Sequence, residues 1–99
     1  KHLPELHKAF RLQQKASKVG FDWEKKEDVW NKVKEEIEEL QEAENGTSIE
    51  HLEEEMGDLL FALVNYSRFI GINPANALRR TNEKFTKRFQ YIEKKLAEE

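Results

Sequence analysis

Residues 53–64 read EEEMGDLLFALV, and residues 34–40 read KEEIEEL. Each stretch holds two acids at i and i+3, Glu55 with Asp58 and Glu36 with Glu39. Behind the second pair, Leu59 to Ile70 is apolar on nearly every side, which marks a helix lying inside a helical assembly. A carboxylate that runs into such a core either frays at a surface end or converges on something cationic.

Working outward, the punctuation falls at Pro4, Gly20, Gly46, Gly57, Gly71 and Pro74. No period-2 alternation bounded by turn residues occurs, so strands are not expected. The pattern predicts four helices. The first covers about residues 4–18, with Pro4 in its first turn and Leu6, Phe10 and Leu12 among its apolar positions, and it stops near Gly20. GFDWEKKED is a connector. The second covers about residues 27–44 and carries Val29, Trp30, Val33, Ile37 and Leu40 as one apolar stripe. After ENGTS, either Thr47, with Glu50 as its capping-box partner, or Ser48 starts the third helix, which runs to about Ile70 with Gly71 as a left-handed C′ residue. Asn73 as N-cap and Pro74 at N1 begin the fourth, whose core face is Leu78, Thr81, Phe85, Phe89, Ile92 and Leu96. The fold class is all-α, a compact four-helix bundle in a single domain over residues 1–99.

A 99-residue domain buries about two-thirds of its unfolded surface. Hydrophobic and charged residues each make up 37%, so the apolar surface must be gathered into stripes. The faces of helices three and four exceed what one partner helix covers, and a homodimer is the minimum expectation. The net charge of −3 carries no polycationic signal for nucleic acid or an anionic membrane. The longest apolar stretch is far short of the roughly 20 residues that span a bilayer. With no cysteine there is neither a disulfide nor a thiolate metal site, which is compatible with the cytoplasm. The chain opens at Lys1 without a secretory signal, and the expectation is a fragment of a longer two-domain protein.

Helical geometry sorts the acids. At about 100° per residue, Glu36 lies about 60° from Val33 and 40° from Leu40, on the border of the stripe. Glu39 follows one turn on, whereas Glu35 and Glu38 fall on the solvated side. Glu55 sits between Leu52 and Leu59 at another border position, Asp58 follows it, and Ala62 and Asn65 extend that track. If ENGTS closes an antiparallel hairpin, the four carboxylates crowd together, and their repulsion calls for a divalent cation. Oxygen-only ligation selects hard ions, Mg2+ first and Mn2+ as a substitute. A di-iron bundle would pair Glu with Glu-x-x-His motifs, which are absent. His51 is the one histidine near the acids, and His2 and His7 read as surface residues. On the fourth helix Lys84 and Arg88 share a face, either as solvated flank residues or as ligands for phosphate oxygens.

EEIEE, EEEMGDLLFALVN and NEKFTKRF, with KVGFDW near the start, together resemble the MazG family of nucleoside triphosphate pyrophosphohydrolases, in particular its carboxy-terminal domains. The resemblance implies metal ligation by Glu36, Glu39, Glu55 and Asp58. It also implies nucleotide contacts from Lys32 and Glu35 and from Lys84 and Arg88. The activity implied is Mg2+-dependent hydrolysis of a nucleoside triphosphate between its α and β phosphates, a nucleotide house-cleaning reaction. Glu36 and Glu39 carry the catalytic role, while Glu39 or Glu54 orients the water and Glu54 adjoins the substrate. His51 departs from the lysine often found there, and Phe21 or Trp23 either stacks on the base or packs the connector. The rival reading is a non-catalytic helical oligomerisation or regulatory domain.

Overall fold

The ends of the helices are set by local chemistry. In the computed structural model, which describes residues 4–98, α1 spans Pro4–Lys18, α2 Lys26–Ala43, α3 Ile49–Phe69 and α4 Pro74–Glu98. No strand occurs among the described residues, and the all-α fold expected from the sequence is the one observed. Of the two surface histidines expected, His7 is exposed and His2 lies outside the described residues.

Gly20 and Gly71 adopt φ of +88° and +77°, a conformation costly for residues with a Cβ. Each closes its helix with a paired bond set. Gly20 N donates to Ser17 O while Phe21 N donates to Ala16 O, and Gly71 N donates to Arg68 O while Ile72 N donates to Ser67 O. Ser48, rather than Thr47, caps α3, its hydroxyl oxygen accepting from His51 N at 3.1 Å. Asn73 Oδ1 accepts from Ala75 N and Asn76 N, so α4 starts as predicted, with Pro74 needing no donor partner.

The principal packing unit is the antiparallel α2–α3 hairpin. Its closed core holds Val29, Val33, Ala43, Ala62 and Val64. Val29 and Val33 are sealed, each worth about 1.5–3 kcal/mol of burial. Near the start of α2 and the end of α3, Trp30 and Tyr66 pack with tilted rings, 4.9 Å between centroids and 49° between planes. Helix α1 lies along α3, where Gln13 Nε2 donates to the carbonyl of Phe61 at 3.3 Å.

One packing expectation, compactness, is corrected. A compact domain of this length has a radius of gyration of about 13 Å, whereas this chain has 17.3 Å and measures 58 × 35 × 27 Å. The cause is α4, which buries no residue of its own: Phe85 is 66% exposed and Phe89 50%, and Leu78, Ile92 and Leu96 are exposed as well. Its backbone comes within 8 Å of α1 and α3 but nowhere of α2. The predicted core face of α4 therefore exists in the sequence but has no cover within one chain. Leu60, Phe61, Leu63 and Ile70 are likewise open, because α2 covers one side of α3 and α1 covers only part of another.

Candidate metal centre

Because α2 and α3 run antiparallel, the middle of α2 meets the first half of α3, and the acids at those positions meet. Single carboxylate oxygens of Glu36, Glu39 and Glu55 all lie within 4.8 Å of one another. Their environments differ. Glu36 is buried at 5% exposure, deeper than a border position suggests, Glu55 is partly buried, and Glu39 is exposed. A polar cleft of about 390 Å³ opens beside them, lined by Glu39, Glu42, Ala43, Gly46, His51 and Glu55.

The buried oxygens are incompletely partnered. Glu36 Oε2 is 3.0 Å from Lys32 Nζ, which also lies 3.6 Å from Glu35. Among the described residues, Glu36 Oε1 and Glu55 Oε1 are sealed from solvent without a hydrogen-bond donor. Sealed carboxylate oxygens without a donor are costly unless a cation compensates them. The Lys32 ammonium cannot serve both, since Glu55 is not among its partners.

Electrostatics point the same way. The Glu36 charge raises the Glu39 carboxyl above its usual range, with desolvation and the charge on Glu55 adding to the effect. Hydrogen bonding to Glu36 raises the Lys32 ammonium in turn. His51 lies 3.9 Å from Glu54 and 4.0 Å from Glu55, the edge of ion-pair range. The donor set is all oxygen, closely spaced and short of positive charge, so it fits a hard divalent cation.

Asp58 stands outside the set of three. It is exposed, one turn beyond Glu55 and rotated about 60° around α3. Lys84 and Arg88 are exposed on α4, which does not approach α2, so a single chain does not set them beside Glu36 and Glu39. Sequence reasoning missed the aromatic and amide groups around the α1–α2 connector as a unit. Asp22 accepts from Arg68 at 2.7 Å, and Arg68 also donates to Asn65. Only the Asp22 and Arg68 residue types signalled this pairing, across 46 positions of chain.

An antiparallel helical pair bearing E-x-x-E on one arm and E-x-x-D on the other defines an all-α protein with a carboxylate cluster able to bind a metal. The chain belongs to the MazG family: the MazG nucleotide pyrophosphohydrolase domain matches residues 24–92. It is 48% identical over 91 residues to the nucleoside triphosphate pyrophosphohydrolase/pyrophosphatase MazG of Thermotoga maritima, covering 92% of this chain and 34% of that protein. To the nucleoside triphosphate pyrophosphohydrolase of Escherichia coli K12 it is 43% identical over 97 residues, 96% of this chain and 37% of that one. A 49-residue match at 55% identity, half of this chain and 10% of the other, joins it to the uncharacterized protein YabN of Bacillus subtilis. The chain thus spans about a third of the length of the first two relatives. No helix among the described residues is long and apolar enough to cross a membrane.

Proposed function

We propose that this chain is a Mg2+-dependent nucleoside triphosphate pyrophosphohydrolase that opens the anhydride bridge between the α and β phosphates, yielding a nucleoside monophosphate and pyrophosphate. The observation that carries the reading is the convergence of Glu36, Glu39 and Glu55 with two sealed, donorless oxygens. The names of the two long-matching relatives support the reaction class. Clearance of unwanted nucleotides from the cytoplasmic pool is the role this activity suits.

Glu36, Glu39 and Glu55 would hold the cation, and the family resemblance adds Asp58 from the next turn of α3. When bound, Mg2+ supplies charge neutralisation of the phosphates and an acidified water, with Mn2+ able to replace it. Glu36 is kept in place by Lys32, which grips its Oε2, while Oε1 is sealed with no donor among the described residues. Glu39 is exposed at the rim of the cluster, which suits it or Glu54 to orient the attacking water. Lys32 with Glu35, and His51 with Glu54, border the path of the phosphate chain.

Lys84 and Arg88 neutralise the departing pyrophosphate. Since α4 does not approach α2 in one chain and its apolar face is open, a second copy brings these cations to the carboxylates. The working unit in this reading is at least a homodimer, whose α4 surfaces are covered on assembly.

Pyrophosphate release from a panel of nucleoside triphosphates, with Mg2+ and with excess chelator, tests the reading. We expect metal-dependent release by the wild type and none by Glu39→Gln at unchanged helix content. Full turnover by Glu39→Gln, or no release from any triphosphate by the wild type, overturns it.

A further inference from the structure

Lys32 and Glu36 stand one turn apart on α2, with Lys32 Nζ 3.0 Å from Glu36 Oε2. The two side chains differ in where they can go. That of Lys32 is 39% exposed, whereas that of Glu36 is 6% exposed. An ammonium on a flexible four-carbon stem withdraws into water at little cost, while a carboxylate walled in by the hairpin does not. The mobile partner of the pair is therefore the lysine.

The pair is poorly suited to be a helix staple. Ion pairs at i and i+4 stabilise a helix best when the acid precedes the base, in keeping with the helix dipole, and here the base comes first. A second acceptor lies within reach, Glu35 Oε1 at 3.6 Å on an exposed side chain. Lys32 thus has one buried and one solvated carboxylate to choose between. Which of them it takes decides how much negative charge Glu36 offers to its other neighbours.

Those neighbours are Glu39 and Glu55, each with one oxygen within 4.8 Å of one on Glu36. Lys32 offsets one charge of that cluster and pairs with neither of the other two acids. Among the described residues the only other group in ion-pair range of the three is His51, 4.0 Å from Glu55. A divalent cation brings twice the charge of the ammonium and can engage all three acids, so it is the stronger partner for Glu36. Even so, it binds only by the margin left after the Lys32 interaction is given up. The lysine hold that orients Glu36 before the cation arrives is the same hold that the cation has to overcome.

Lys34, on the same helix, supplies the contrast. It is turned about 200° around α2 from Lys32, is exposed, and forms no ion pair among the described residues. Its charge reaches the cluster only through solvent, where salt screens it.

We propose that Lys32 is a tethered competitor of the metal: its ammonium holds the charge of Glu36 until a divalent cation displaces it, and so sets the concentration at which the centre fills. The inference rests on the reading of the carboxylate cluster as a metal centre. To the residues that form that centre it adds one that regulates its affinity.

Calorimetric titration of the chelator-treated domain with Mg2+ tests the proposal, with helix content checked for each variant. Lys32→Met, which keeps most of the stem and removes the charge, should bind Mg2+ about 5- to 150-fold more tightly than the wild type, the usual range for coupling between two sites. Lys32→Gln, neutral and polar, is read beside it and should behave alike. Lys32→Arg keeps the charge and should bind Mg2+ no more tightly than the wild type. Lys34→Met makes the same change in net charge and should alter the affinity by less than about twofold, because solvent and salt screen that position. Unchanged or weaker binding in the neutral Lys32 variants overturns the proposal, as does equal tightening in Lys34→Met or Lys32→Arg. A wild type that binds no Mg2+ defeats the metal centre itself, and the competitor with it. Tighter Mg2+ binding by Lys32→Met in a domain that releases no pyrophosphate would sustain the competitor and defeat the hydrolase reading.

Discussion

Glu36 on α2 and Glu55 on α3 bring one carboxylate oxygen each within 4.8 Å of the other across the hairpin, and each also holds a sealed oxygen that no donor among the described residues satisfies. Lys32 engages only the other oxygen of Glu36. A helical hairpin would not be expected to retain this arrangement for stability alone, since each sealed oxygen has lost its water without a replacement.

Glu55→Gln should therefore move stability and activity in opposite directions. Without metal, removing one of the crowded charges raises the unfolding midpoint, by several degrees if about 1 kcal/mol is recovered. Pyrophosphate release falls beyond the roughly 10–100-fold typical of losing an outer-shell partner. Calorimetry and a coupled pyrophosphate assay check the pair, and a destabilised metal-free variant would contradict the account of the cluster.

Mg2+ should stabilise the wild type by mass action, by about 2.7 kcal/mol at one hundred times its dissociation constant. Glu36→Gln and Glu55→Gln should blunt that response, since each removes a charge from the pair with orphaned oxygens. A thermal shift series over Mg2+ concentration reads this directly, and a flat wild-type curve counts against a preformed centre.

Phe85 and Phe89 stack parallel at 6.3 Å on the open face of α4. Replacing both by Asp should shift the sedimentation coefficient from an assembled species to a monomer at micromolar concentration, with helix content retained because neither ring is buried within the chain. If Lys84 and Arg88 act across the interface, turnover should fall with assembly, and a fully active monomer would refute that arrangement.

Hydrogen bonding from Arg68 holds the Asp22 carboxyl below its ordinary value of 3.8, ahead of the smaller opposing effect of burial. A folded-state pKa below the unfolded one stabilises the fold above the unfolded value, and this contribution is lost as pH falls through the folded value. Asp22→Asn should thus lower the melting temperature at pH 7 by a few degrees, about the 0.2–1 kcal/mol of a partly exposed pair, and the deficit should close as pH falls below the ordinary carboxylate value and through the lowered folded one. A deficit independent of pH would show that the pairing is not electrostatic.

Much of the architecture was legible because it depends on neighbours in sequence. Gly20, Ser48, Gly71 and Asn73 act on backbone groups within a few residues, so the helix ends could be located without knowing the fold. The choice between Thr47 and Ser48 was not legible, since both precede a donor at suitable spacing, and only the path of the turn selects Ser48. Helical angles brought out Glu36, Glu39 and Glu55 for a similar reason, while the depth of Glu36 depends on how closely α3 packs against α2.

By itself, the sequence determined four helices, an acid pair on each arm of a hairpin, and membership in a family. The helices and the acid pairs follow from local periodicity and capping, which act within one or two turns of chain, whereas the family follows from the acidic motifs and the segments around them. Tertiary structure alone decided how deeply Glu36 is buried, that α4 stands off α2 with its aromatic face open, and that Asp22 and Arg68 draw the connector against α3. Those depend on the angles at which helices meet, and such angles are set by the sum of many distant contacts that no spacing along the chain records.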